Sequence, residues 1–159
     1  FLGPSPIDYD KQQLFGECVW EELCKFSLKE KKKRGKTKIG IIFNLDTHTK
    51  PGSHWVAMYL DLKKHAVYYF DSYGDPIPTR IRKFYKTVRE QGRAFGEDYR
   101  LIISKKRHQY SRSECGMYSM YFIVQMLLER PFSYFEKKKI RDKHMVWLRK
   151  KYFNLPKKA

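Results

Sequence analysis

A cysteine, a histidine and an aspartate stand at the ends of predicted secondary-structure elements in this sequence. Cys115 opens an apolar helix, His54 opens a strand after a Pro-Gly loop, and Asp71 closes the next strand. These residue types support thiol catalysis, because a carboxylate can orient an imidazole that takes the thiol proton and later protonates a leaving amine. Taken singly, each residue has an ordinary structural interpretation, so the hypothesis depends on whether the fold brings the three together.

The helix that begins at Cys115 is predicted to end at about Glu129, because Pro131 stops it. It is apolar on almost every face, so we expect it to be buried on all sides. Unpaired backbone N–H groups and the positive end of the helix dipole both favour a thiolate at its first turn. Gly116 lets a substrate approach the backbone beside the sulfur.

Two of the predicted strands should form an antiparallel hairpin that places His54 and Asp71 at the same end of a sheet. Apolar and β-branched runs predict four strands in all, at Lys38–Asn44, His54–Asp61, Ala66–Asp71 and Tyr99–Ser104. Periodic apolar residues predict further helices at Lys11–Leu28, Pro78–Gln91 and Glu136–Phe153. The segment Phe1–Asp10 is expected to be irregular, and the basic run Lys29–Lys38 to be a solvated loop.

These elements predict an α+β fold of one domain, residues 1–159, with no internal repeat. Its centre would be a mostly antiparallel sheet packed against the buried helix that carries Cys115. No membrane span or signal peptide is visible. The chain begins at Phe1 without a methionine, which leaves open whether the natural N-terminus is missing or processed.

Three cysteines give neither a disulfide framework nor a zinc pattern, so we expect a reducing compartment and no metal. The formal net charge of +17 favours nucleic acid or another polyanion as a partner. The basic residues gather in four groups, at 29–38, 105–107, 137–143 and 149–151, of which the last two share one predicted helix and would form a continuous stripe.

Taken together, the candidate residues and their neighbours resemble the adenain-like cysteine proteases. That family includes the adenovirus maturation protease and its relatives in virophages and Polinton elements, and it belongs to the larger group of SUMO proteases. The resemblance extends from about Ile39 to Leu128. Its motifs are His54-Trp55, Tyr69-Phe70-Asp71-Ser72-Tyr73-Gly74, Gln109 and Cys115-Gly116, and the segment Asn44–Trp55 is similar to the virophage and Polinton form.

The resemblance implies a papain-like architecture and a role for each matching residue. His54 would be the general base, Asp71 its orienting carboxylate and Cys115 the nucleophile. Gln109 and the backbone N–H of Cys115 would form the oxyanion hole. Trp55 would cover a narrow substrate channel beside Gly116 that holds small residues, often glycine.

Two departures blur which branch of the group this chain resembles. Asp71 matches SUMO proteases, since adenovirus enzymes have glutamate there, and Glu114 stands where SUMO proteases have aspartate. Cys18 and Cys24 match no catalytic position and are interpreted as packed cysteines. Because the adenovirus enzyme is activated by a disulfide-tethered peptide and by DNA, both remain candidate activators here, although the chemistry itself requires no cofactor.

The leading hypothesis is a monomeric viral maturation endopeptidase that cuts capsid and core precursors near small residues, in the virion and viral factory. The alternative enzyme is a protease for SUMO or ubiquitin-like proteins. A third hypothesis, from another class, is a non-enzymatic basic protein that packages nucleic acid. Chymotrypsin-like viral proteases are disfavoured, because they are all-β and carry the nucleophile in a loop.

Overall fold

The computed structural model describes residues 1–153, and a five-stranded sheet lies at its centre. The strands follow chain order across the sheet: β1 (Leu2–Pro6), β2 (Lys38–Asn44), β3 (Trp55–Asp61), β4 (Ala66–Phe70) and β5 (Arg100–Ile103). The inner pairs β2–β3 and β3–β4 are antiparallel, of which the β3–β4 hairpin was predicted, whereas the outer pairs β1–β2 and β4–β5 are parallel. The sheet is therefore mixed, because both outer strands are reached by long crossover connections.

Within residues 1–153, six α-helices accompany the sheet: α1 (Glu21–Cys24), α2 (Leu28–Lys33), α3 (Thr79–Arg93), α4 (Cys115–Leu127), α5 (Ser133–Lys137) and α6 (Asp142–Tyr152). One apolar core joins α3 and the N-terminal segment to one face of the sheet. A second core packs α4, α5 and α6 against the other face. The predicted α+β class is confirmed.

The helix α4 is buried along most of its length, as its apolar composition predicts. Tyr118 and Phe122 are completely enclosed, and the Phe70 ring stacks on Phe122 at a centroid distance of 4.8 Å. Gly40 in β2 allows this close packing, since a Cβ atom there would lie 2.8 Å from the Ile123 side chain. The sheet therefore holds the first residue of α4 at a fixed place.

The N-terminal predictions are wrong in three places. The segment expected to be irregular forms β1, whose two prolines are tolerated because it is an edge strand. The helix predicted over Lys11–Leu28 is broken at Phe15 and Gly16, which both have positive φ, and only a 3-10 turn (Leu14–Gly16) and the short helix α1 lie within it. Half of the basic run belongs to α2, because the Ser27 side chain accepts from the backbone N–H of Glu30 and caps that helix.

The helix predicted over Glu136–Phe153 is also wrong, because it is two helices. The helix α5 ends at Lys137, and α6 begins at Asp142. Between them, the backbone N–H of Ile140 donates to His108 Nδ1 at 3.1 Å. This tertiary hydrogen bond takes a backbone group that a continuous helix would need.

Candidate active site

The fold brings His54, Asp71 and Cys115 to one end of the sheet. His54 immediately precedes β3 and Asp71 immediately follows β4, and the antiparallel pairing of these strands opposes Ala57 to Phe70 at that end. Cys115 is the first residue of α4, which packs across the same strands. The three side chains therefore come from three elements whose ends are fixed by two cores.

The His54 imidazole is held by a buried carboxylate and by an aromatic ring. Its Nε2 lies 2.8 Å from Asp71 Oδ1, and Asp71 is only 1% exposed. The same carboxylate oxygen accepts from the backbone N–H of Tyr73 at 2.8 Å. The Tyr73 ring stacks on the imidazole with the centroids 4.7 Å apart. With Nε2 taken by Asp71, Nδ1 is the nitrogen that remains for Cys115.

The pKa values of His54 and Cys115 shift in opposite directions, so the pair favours an imidazolium beside a thiolate. Burial alone would lower the pKa of His54, but the hydrogen bonds to Asp71 and Cys115 outweigh it and raise the pKa to about 9. Burial likewise would raise the pKa of the Cys115 thiol. Hydrogen bonding to His54 and to the backbone N–H groups of Trp55 and Gly116 holds it below its usual range instead.

Gln109 is completely buried behind the site, in the loop that leads to Cys115. Its side-chain oxygen accepts from the Ser72 hydroxyl at 2.6 Å. Its side-chain nitrogen lies 2.8 Å from the Ser111 carbonyl oxygen and 3.3 Å from the Tyr73 hydroxyl. The amide is thus fixed in orientation, and the longer contact to Tyr73 leaves one of its N–H donors weakly engaged.

A surface groove of about 570 Å³ passes over the sulfur of Cys115. Trp55 and Gly116, the two residues predicted to border a substrate channel, lie in its wall. A Cβ atom at Gly116 would lie 4.0 Å from Trp55 Cδ1. The passage between the indole and the start of α4 is therefore narrow.

Sequence reasoning missed the residues that hold the loop before Cys115. The Asp142 carboxylate accepts from the backbone N–H groups of Tyr110 and Ser111, each at 3.0 Å. The Tyr118 hydroxyl lies 3.0 Å from both that carboxylate and the Ile140 carbonyl oxygen. The feature of the sequence that could have indicated this role was Asp142, an aspartate at the start of a helix. Such an aspartate is ordinarily explained by the helix dipole alone.

Glu114 and Arg149 form a second support directly before the nucleophile. Arg149 Nη2 lies 3.0 Å from Glu114 Oε2 and donates to the Ser113 carbonyl oxygen at 2.8 Å. The Glu114 side chain is almost fully buried, whereas Arg149 lies in the wall of the groove. The ion pair links the end of α6 to the start of α4.

The interpretation of Cys18 and Cys24 as separate packed thiols is wrong. The two are joined by a disulfide, because the turn before α1 brings their Cα atoms to 6.3 Å. The expectation of a reducing compartment rested on free cysteines and loses that support. Cys115 is the free cysteine in the described part of the chain, and it is 7% exposed.

Within residues 1–153, no three histidine, cysteine, aspartate or glutamate residues are grouped so that they could hold a metal ion. None of the helices there has the length and apolarity needed to cross a bilayer.

Comparison with known proteins places these residues in a family context. Residues 25–158 match the Ulp1 protease family, C-terminal catalytic domain. The thiol protease R355 of Acanthamoeba polyphaga mimivirus is 36% identical over 136 residues, which are 83% of this chain and 42% of that protein. The cysteine protease S273R of African swine fever virus is 30% identical over 126 residues, which are 77% of this chain and 46% of that protein.

A solved structure gives the same result for the fold. The crystal structure of the African swine fever virus protease pS273R matches with a TM-score of 0.68 and 28% identity, covering 76% of this chain and 45% of that one. The chain therefore spans less than half the length of each of these three relatives. The predicted resemblance to viral cysteine proteases of the SUMO-protease group is confirmed, as is the papain-like architecture.

Proposed function

Because the chain belongs to the Ulp1 protease family, whose members are cysteine peptidases, we propose that it is a viral maturation endopeptidase. It would cut structural precursor proteins at small-residue sites of the Gly type. The observation that carries the proposal is the arrangement of Cys115, His54 and Asp71 beside a narrow groove. Such substrates would place the protein in the virion and viral factory.

In the proposed reaction, the Cys115 thiolate attacks the scissile carbonyl carbon. The backbone N–H of Cys115 and the side chain of Gln109 stabilise the oxyanion, and Gln109 exchanges its 3.3 Å contact with Tyr73 for this one. As the C–N bond breaks, the His54 imidazolium gives its proton to the leaving amine. A water molecule then loses a proton to His54 and attacks the thioester, which frees the thiolate.

The preference for small residues follows from the wall of the groove. Trp55 approaches the start of α4 so closely that a single added carbon at Gly116 would touch it. Substrate residues beside the cut therefore have little room for side chains. Peptides with Gly-Gly or Gly-Ala at the cut bond should be cleaved in preference to peptides with Leu or Phe there.

A cleavage assay combined with alkylation tests the proposal. Iodoacetamide should modify Cys115 quickly at neutral pH, since its thiol pKa is lowered, and prior modification should stop cleavage of a Gly-Gly peptide. Equal cutting after bulky residues would exclude the channel, and cleavage that survives modification would exclude the nucleophile.

The second candidate is a protease for SUMO or another ubiquitin-like protein. Relatives from other African swine fever virus isolates, 29% identical to this chain, bear the name SUMO-1 cysteine protease S273R. Both candidates use the same reaction, so only the substrate separates them. Viral structural precursors and SUMO or ubiquitin precursors should be compared at equal enzyme concentration, and we expect faster cleavage of the viral precursors. The third hypothesis, a non-enzymatic packaging protein, is disfavoured by membership of a peptidase family.

We also propose duplex DNA as a sequence-independent partner, supported by the net charge of +17. The single continuous helical stripe predicted from the sequence is wrong, because α5 and α6 are separate and Arg149 pairs with Glu114. The contacts would instead come from several separate basic groups. Fluorescence anisotropy with random-sequence duplexes should show affinity that falls steeply with salt, and absence of binding at low salt would exclude the partner.

The disulfide between Cys18 and Cys24 disfavours activation by a disulfide-tethered peptide. Cys18 and Cys24 already bond to each other, so a peptide tethered through either one would first require that disulfide to open. Cleavage should be measured with and without DNA and without any peptide, which separates the two candidate activators.

A further inference from the structure

A row of alternating rings and cations runs from the active site to the protein surface. Tyr73 stacks on His54 at 4.7 Å, and the Arg107 guanidinium lies 5.3 Å from the Tyr73 ring. The same guanidinium lies 4.7 Å from the ring of Tyr110, whose other contact is Lys139 Nζ at 3.9 Å. We call these five residues the Tyr110 row.

The outer part of the row is exposed and positively charged. The Tyr110 side chain is 59% exposed although its ring is large and apolar, and Arg107 and Lys139 are exposed beside it. Among residues 1–153, neither cation forms an ion pair with a carboxylate, in contrast to Arg149 or Lys38. The row therefore presents positive charge that the described part of the chain does not neutralise.

Asp142 lies close to the Tyr110 row, but its carboxylate is already engaged in hydrogen bonds within the protein. The Asp142 carboxylate borders the same shallow cavity of about 440 Å³ as Tyr110, Lys139 and Arg141. It accepts two backbone N–H groups and lies within hydrogen-bond distance of the Tyr118 hydroxyl. Its function there is to fix the backbone at Tyr110, which keeps the ring in place between the two cations.

The position of the row relates it to one side of the substrate. In the proposed reaction, the acyl part of the substrate becomes bonded to the sulfur and would lie in the groove over Cys115 and Gly116. The leaving amine must come next to His54, because His54 protonates it. Tyr73 covers the face of His54, so the chain that follows the cut bond reaches Tyr73 and Arg107 first.

We propose that the Tyr110 row binds acidic side chains in the segment that follows the scissile bond, an inference that rests on the proposed endopeptidase function. Arg107 and Lys139 would pair with the carboxylates, and the Tyr110 ring would support the peptide between them. No step of the row exceeds 5.3 Å, and an extended peptide advances about 3.3–3.6 Å per residue, so the acidic residues lie within about five residues of the cut.

The test uses two internally quenched peptides that share a Gly-Gly acyl side. One carries Asp and Glu at the second to fifth positions after the cut, and the other carries Asn and Gln there. For the unmodified protein, kcat/KM should be about threefold to tenfold higher for the acidic peptide, the scale of two exposed charge pairs, and the ratio should fall with added salt.

Charge reversal at Lys139 assigns the preference to the row. Lys139→Glu should bring the ratio of the two kcat/KM values to about one or below it. Lys86→Glu is the matched control, because Lys86 is an exposed lysine of α3 on the opposite face of the sheet and gives the same change in net charge. Its ratio should equal that of the unmodified protein.

Each outcome has a distinct meaning. The acidic-peptide proposal is wrong if the ratio of the two kcat/KM values is one in the unmodified protein. It is also wrong if Lys139→Glu and Lys86→Glu lower that ratio equally. In both cases, cleavage of the peptides still supports the proposed protease function. If neither peptide is cleaved, the proposed protease function is wrong, and the acidic-peptide proposal fails with it. If Lys139→Glu weakens binding of single-stranded DNA but leaves the peptide ratio unchanged, the row is a nucleic-acid surface and the acidic-peptide proposal is wrong.

Discussion

Two histidines of this protein, the half-buried His54 and the fully buried His108, have opposite protonation behaviour. His54 bonds to the Asp71 carboxylate and the Cys115 sulfur, which raises its pKa to about 9. Burial lowers the pKa of His108 to about 4, and its partners are backbone groups. The Ile140 N–H donates to Nδ1 of His108, so Nε2 carries the proton and donates to the Phe135 carbonyl oxygen at 3.0 Å.

The comparison shows that hydrogen bonds to ionised partners can outweigh burial and keep an imidazole charged, whereas backbone partners do not. At neutral pH, His54 is charged and can give a proton to a leaving group. His108 is neutral and acts as a fixed connector between the loop that carries Gln109 and the segment before α6. His54 is therefore suited to proton transfer, and His108 to holding two segments of the fold together.

The largest effect should come from removing the sulfur beside His54. Cys115→Ala should lower peptide cleavage by at least about 10³-fold, because the nucleophile is lost. Its melting temperature should change little, since one atom is removed at a helix end. His54→Ala should be nearly as damaging to cleavage, whereas Asp71→Asn should cost less. Cleavage is followed with a Gly-Gly peptide and the fold by circular dichroism.

The double variant Cys18→Ala/Cys24→Ala is the control for that experiment. It removes the two other sulfurs and leaves the residues proposed for catalysis in place, so cleavage should persist. Cleavage by the Cys115→Ala protein would end the assignment of the nucleophile.

The next largest effect should come from Gln109. This residue follows His108 in the chain, and its side chain contacts Tyr73, the ring that stacks on His54. Gln109→Ala should lower kcat by roughly a hundredfold, the usual scale for one oxyanion donor. The binding of an uncleaved substrate analogue should change less, because the donor acts on charge that develops during the reaction. Activity equal to that of the unmodified protein would exclude the oxyanion role.

Replacing His108 should lower stability and largely preserve cleavage, which is the opposite of the effect expected for Cys115→Ala. His108→Ala leaves the Ile140 N–H and the Phe135 carbonyl without partners and opens a cavity, so the free energy of unfolding should fall by about 2–4 kcal/mol. His108→Gln can replace both hydrogen bonds and should cost less. Urea unfolding checks stability, and cleavage per folded molecule should be much better retained than in Cys115→Ala. Equal stability of the Ala and Gln variants would contradict the connector role.

The parts of the fold that the sequence predicted well are those with strong local patterns. The strand Lys38–Asn44 and the start of α4 at Cys115 agree with the structure to the residue. The parts it missed depend on distant contacts. A proline-containing segment became β1 by pairing with β2, and the last helix divided where His108 binds the Ile140 N–H.

The candidate site follows the same rule. His54, Asp71 and Cys115 could be proposed because each stands at the end of an element, and strand pairing then implies that they converge. Tyr73 could not be assigned a role, because its stacking on His54 depends on the turn that its own N–H makes with Asp71. The Cys18–Cys24 disulfide was missed for a related reason, since six residues of separation are compatible with either a helix or a turn.

The smallest effects are in the pH dependence of stability, where the two histidines should act on opposite limbs. Below its unfolded pKa of about 6.5, His108 takes up a proton more readily in the unfolded chain than in the folded one, where its pKa is about 4. Stability should therefore fall as the pH drops from 6.5 to 4, by up to about 3 kcal/mol at 1.36 kcal/mol per pKa unit.

The sign is opposite for His54, because its folded pKa of about 9 lies above its unfolded value. The stability it contributes is fully present below pH 6.5 and is lost as the pH rises through 9. The lowered pKa of the Cys115 thiol acts with the opposite sign and makes this loss smaller. Urea unfolding from pH 4.5 to 9.5 should show both limbs. His108→Gln should flatten the acid limb and leave the alkaline one, and His54→Ala should do the converse. The carboxylates of Asp8 and Glu97, whose pKa values are lowered from the ordinary 3.8 and 4.5, begin to lose their contribution in the lowest part of the acid limb. The difference between the unmodified protein and His108→Gln therefore isolates the histidine. If His108→Gln left the acid limb unchanged, the neutral state of His108 would not be what sets it, and the contrast between the two imidazoles would fail.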